Sequence, residues 1–188
     1  MSENKQKPER NYVSQQGLSS RQKVIEELKT KNIPDVKKEM KDLINSVRHE
    51  KDSISERAKQ ARDKTEGIIL FQKYIFFDKM VEHLGNILEE IRLIQRQLNY
   101  LLSDLKHIQD SEGFQKDITF YEDEMKVSMD IIKEHHLLLQ ILLDQLLEDH
   151  QLLDHLQDVG LFGTFRGIMS MIWAIYGTMS MLSTEVYE

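Results

Sequence analysis

Residues 67–108 read GIILFQKYIFFDKMVEHLGNILEEIRLIQRQLNYLLSDLKHI, and this stretch decides the fold class. Phe77, Leu84, Ile91, Leu98 and Leu105 recur at intervals of seven. So do Val81, Leu88, Gln95 and Leu102, and so do Ile87, Ile94, Leu101 and Ile108. Seven residues make roughly two helical turns, so each series runs along one side of a helix. A two-stranded coiled coil uses two apolar positions in seven. Three in seven widen the stripe and predict a bundle of three or more helices. Gln95 is the polar member of the seam and is expected to set register rather than bind a ligand.

A second ladder follows. Ile118, Met125, Ile132, Leu139, Leu146 and Leu153 repeat at seven, flanked by Ile131, Leu138, Leu152 and Val159. Between the ladders lies QDSEGFQK at 109–116, where Ser111 and Gly113 break the pattern and a turn is expected. Two ladders of similar length joined by a short loop predict a long antiparallel helical hairpin or coiled coil over residues 67–159. Its expected core is Leu84, Leu88, Ile91, Ile94, Leu98, Leu101, Leu105, Met125, Ile132, Leu139, Leu146 and Leu153.

Upstream the apolar content thins. Residues 1–18 are polar and aperiodic and are expected to be a disordered tail. Residues 19–66 read as a charged helical arm. Ser19 with Gln22 fits a capping box, and Lys-Asn-Ile-Pro at 31–34 is expected to end a first short helix. Val36, Met40, Leu43, Ile44 and Val47 give the next helix a one-sided stripe. Residues 48–66 offer only Ile54, Ala58 and Ala61 for burial, so this part is expected to act as a linker rather than a core element.

The chain has 188 residues, and its only prolines are Pro8 and Pro34, so nothing downstream forbids helix on that ground. The fold class expected is all-α. Cysteine is absent, which excludes disulfides, zinc-thiolate sites and thiol nucleophiles. The first residues carry charge but no apolar run of signal-peptide type, so an intracellular rather than secreted protein is expected. Net charge is +4 over residues 1–66 and −11 over residues 67–188, −7 in all, and no basic stripe interleaves with aromatics, so no nucleic-acid partner is expected.

Residues 160–188 form the last unit, an apolar helix with a short acidic tail. Leu161 to Leu182 reads LFGTFRGIMSMIWAIYGTMSML, with Arg166 as the lone charge. About 20 apolar residues span a bilayer, and this stretch has the length. Glycine, serine and threonine dilute it, however, and Trp173 and Tyr176 sit in its middle rather than at its ends. On a helix, Gly163, Gly167, Ser170, Ala174 and Gly177 share one side, opposite Phe165, Ile168, Ile172, Ile175, Met179 and Leu182. A small side of this kind lets a second helix approach closely, in lipid or against the leucine ladders in water.

No catalytic or cofactor-binding motif is present. The seven histidines (His49, His83, His107, His135, His136, His150 and His155) show neither the Glu-x-x-His pair of di-iron bundles nor His-Glu-x-x-His, so no metal or cofactor is expected. His135 and His136 lie beside the seam, where titration near neutral pH would make stability pH-sensitive. Two functions remain open. One is a non-enzymatic coiled-coil interaction or scaffold protein, a homo- or hetero-oligomer with protein partners, attached to a membrane through residues 161–182. The other is a soluble helical-bundle adaptor or assembly subunit with its last helix buried in the bundle or docked in a partner.

Overall fold

The computed structural model describes residues 22–105, 107 and 111–184. The tail expected over 1–18, the Ser19 cap and residues 185–188 lie outside these residues. So do the side chains of Leu105, Ile118 and Leu182, and all of Ile108.

Helix is already present at residue 22 and runs through a π-helical segment, Leu28–Asn32, into α1, Ile33–Gln60. The break expected at 31–34 does not occur. Glu27, Asn32 and Ile33 all keep helical dihedrals, and the Ile33 N–H reaches the Leu28 carbonyl, five residues back. Pro34 has no N–H and its ring crowds the carbonyl four residues before it. One wider turn just ahead of the proline accommodates this without ending the helix.

α1 is part of the core. Ile33, Val36, Met40, Leu43, Ile44, Val47 and Ile54 are all buried on it, in the same cluster as the two ladders. The stripe expected from Val36 to Val47 thus faces the core. The expectation that residues 48–66 act as a linker is corrected at Ile54, which is fully buried, with Ala58 and Ala61 packed beside the core. Spacing of three and four suffices to bury a thin stripe when a wide apolar face lies opposite. Polar pairs fix the direction of packing: Lys37 Nζ donates to Gln95 Oε1 at 2.5 Å, and Lys51 Nζ pairs with Asp78 at 2.8 Å. Rising numbers on α1 meet falling numbers on α2, Lys64–Leu105, so the two are antiparallel. Gln95 meets a lysine here rather than a copy of itself. The chain reverses at Ala61, whose ψ of 126° is extended, and the Asp63 carboxylate accepts the Thr65 N–H at 3.2 Å to start α2.

α3, Ser111–Glu148, packs antiparallel on α2. Tyr121 donates its hydroxyl to Asp104 Oδ2 near the connecting end, and His83 meets His135 further along. That hydrogen bond, with burial second, pushes the Tyr121 hydroxyl up to about 12. Helix resumes at Ser111, earlier than the turn expected through 116. The hairpin itself matches the ladders. Leu84, Leu88, Ile91, Ile94, Leu98, Leu101, Met125, Ile132, Leu139 and Leu146 are buried, and Leu153 is half-buried.

The second ladder is not one helix. Asp149 is extended (φ −103°, ψ 92°), and its carboxylate accepts the Gln151 and Leu152 N–H groups to begin α4, His150–Asp158. Leu152 and Leu156 are buried on α4, and His155 Nε2 lies 3.4 Å from Glu50 Oε2 of α1, edge-on to Phe77. Gly160, at φ +71°, then turns the chain into α5, Leu161–Thr184, with a bend of 92° between α4 and α5. Glycine takes that left-handed dihedral without penalty.

The bend lays α5 against α1 and α3. The four long helices then close a ring, α1 on α2, α2 on α3, α3 on α5 and α5 on α1, around one core. This explains the third apolar position in each heptad, since each ladder serves neighbours on two sides. Among the described residues no single helix is long and apolar enough to cross a membrane. Only α4 and α5 together reach the length and composition, and they are sharply bent.

Candidate functional site: the outer face of the C-terminal helix

The two sides of α5 differ in size, and size decides which faces inward. Phe165, Ile168, Ile172, Ile175 and Met179 are buried against the bundle. Each contributes about 1.5–3 kcal/mol relative to exposure. The small side points out. Gly163, Gly167, Ser170 and Ala174 are exposed and Gly177 is half-buried. A methyl group built on Gly163, Gly167 or Gly177 meets no atom within 4 Å. Within this chain the small residues therefore do not mediate the packing of α5 on the ladders, which corrects that arm of the expectation. Burying glycines would have left five bulky side chains in water, so the larger apolar side wins the core.

The outer face is poor in polar groups. Ser170 and Thr178 donate back to the carbonyls four residues earlier, Arg166 and Ala174, at 3.2 and 2.9 Å. Such back-bonding satisfies a hydroxyl internally, so it needs no water. Arg166, the one charge of α5, lies 5.8 Å from the ring centre of Phe162, toward one end.

Beside the small residues stands an aromatic stack. Trp173 is 50% exposed, lies nearly parallel to Tyr176 at 5.0 Å and stacks on His136 of α3 at 5.1 Å. His136 Nε2 is 3.1 Å from the Met169 carbonyl. A carbonyl only accepts, so Nε2 carries the proton and donates. Burial holds the His136 imidazole below its usual range, and the hydrogen bond to Met169 partly opposes this. Neutral His136 thus braces α5 on α3 and props the exposed tryptophan. Sequence reading placed Trp173 within the apolar stretch, but no spacing rule pairs it with a histidine on another helix.

Tyr176 also borders a cleft of about 350 Å³ between α2, α3 and α5. Its lining is mostly apolar (Ile25, Leu98, Leu101, Met125, Met129 and Met179), with Asp123, Lys126 and Asp130 of both charge signs beside it. The flat face, the half-exposed tryptophan and this cleft are contiguous through Tyr176. They form a surface suited to large apolar side chains and a closely approaching backbone. Among the described residues no group of three or more His, Cys, Asp or Glu side chains converges on a point.

No family model, curated protein or solved structure matches the chain.

Proposed function

We infer that the chain is a non-enzymatic helical-bundle interaction protein that recruits a partner helix onto the outer face of α5. The observation that carries this reading is the outward placement of Gly163, Gly167, Ser170 and Ala174 beside the half-exposed Trp173. A solvated helix face usually carries charged residues, and this one carries a single arginine. Small residues let a second backbone approach closely, and an exposed tryptophan is a common anchor in interfaces. The folded bundle supports the adaptor form of the reading, with α5 held by its bulky side.

Membrane attachment through the same helix is the second reading, favoured by the near absence of charge in α5. Insertion as a span would strip Phe165, Ile168 and Ile172 from the core, leaving the ladders of α1 and α3 uncovered. The two readings differ in a direct test. In sedimentation velocity, full-length protein should form a dimer or larger species, or capture a partner, that is lost in Gly167→Leu and Ala174→Leu while helicity and Tm are retained. A monomer that floats with liposomes and resists carbonate extraction would replace this reading with the membrane one.

A further inference from the structure

His83 on α2 and His135 on α3 meet across the hairpin with their Nδ1 atoms 3.0 Å apart and ring planes inclined at 41°. Both side chains are half-buried, so the pair is reachable from solvent yet held by its surroundings. Leu84 and Ile87 on one helix and Ile132 and Leu139 on the other are buried, which fixes both backbones. As neutral rings, one Nδ1 donates its proton to the other. Moving that single proton from Nδ1 to Nε2 leaves two lone pairs facing each other, since the ring centroids are 5.2 Å apart. Tilting each ring by about 40° aims both at one ion at metal–nitrogen distances of about 2.0–2.1 Å.

We propose that His83 and His135 form a two-imidazole site for a divalent transition-metal ion of the copper, nickel or zinc class, completed by water. Metal–nitrogen distances of about 2.0–2.1 Å at bond angles of roughly 90–109° put the two nitrogens about 2.9–3.4 Å apart. The observed separation falls inside that range without any movement of the helices. Neutral imidazole is the ligating form. Burial and the neighbouring His135 both hold His83 below its ordinary range, so it is neutral at physiological pH. Glu82 beside it adds a negative charge that favours a cation, and Lys79 opposes this. Hard cations that prefer oxygen, such as Mg²⁺, have no ligand set here. Because the ligands come from two helices, the ion binds the folded hairpin and not the unfolded chain.

Thermal unfolding of the full chain with Cu²⁺, Ni²⁺, Zn²⁺ or Mg²⁺ tests this. A transition metal at tenfold its Kd should raise Tm by about 4 °C, reversibly on adding chelator, and Mg²⁺ should not. Equilibrium dialysis should find one ion per chain. His83→Gln and His135→Ala should each lose the metal-induced shift, measured against the same variant without metal, so a weakened fold does not confuse the reading. His150→Ala, an exposed histidine elsewhere, should keep it. No shift for the parent protein at millimolar metal, or a shift that survives in both pair variants, overturns the proposal.

Discussion

The Nε2 of His136 lies 3.1 Å from the carbonyl of Met169, and this contact joins the hairpin to the last helix. The same imidazole stacks on Trp173, the chain's single tryptophan. Trp173 fluorescence therefore reports on this one joint. His136→Ala should lower stability by about 1–2 kcal/mol, through one hydrogen bond and one ring contact. Trp173 emission should shift to the red as the part of the indole covered by His136 is wetted. His136→Phe should restore most of the emission spectrum but not the hydrogen bond. An unchanged spectrum in His136→Ala would show that the stack does not persist in solution.

Acid should destabilise the fold. Burial holds His83, His136 and His155 below the usual imidazole range, first among the causes in each case. Unfolded imidazoles titrate near about 6.5, so below that pH the unfolded chain binds more protons than the folded one. The stabilisation is fully present above the unfolded value and is lost as pH falls through it toward the lower folded values. Urea midpoints at about pH 7.5 should therefore exceed those at about pH 5.5. Glu50 beside His155 works in the opposite direction, so His155→Gln should flatten the profile only in part.

Two glycines in the last third should respond with opposite signs to the same substitution. Gly167 sits inside α5 with open space around it, so Gly167→Ala should stabilise the isolated fold by about 1 kcal/mol. Gly160, at φ +71°, lies in the turn before α5, and Gly160→Ala should cost about 1–2 kcal/mol although nothing there would clash. Thermal unfolding of the two variants side by side checks the pair. A loss of stability in Gly167→Ala would mean that a second helix already rests on that face.

Ile54 tests whether the charged arm belongs to the core. It is fully buried among residues that are otherwise mostly solvated. Ile54→Ala should cost about 2–5 kcal/mol if the arm packs as described. A frayed linker would give a change within about 0.5 kcal/mol. Equilibrium urea unfolding of this one variant distinguishes the two.

The helical class, the hairpin and its core from Leu84 to Leu146 follow from sequence, because apolar residues repeated at seven can bury themselves only on helices packed side by side. The two-sided character of residues 161–182 is equally legible, since it is a matter of spacing on one helix. Tertiary structure decided what no local pattern contains. The sparse stripe from Ile33 to Ile54 counts as core because the wide ladder of α2 and the bulky side of α5 lie opposite it. The ladder ending at Leu153 breaks because Asp149 caps a new helix and Gly160 then turns it back. Phe165 and its neighbours face inward because bulky apolar area gains more from leaving water than glycine does. His83 meets His135, and His136 meets Trp173, across helices whose relative register only the packed bundle establishes.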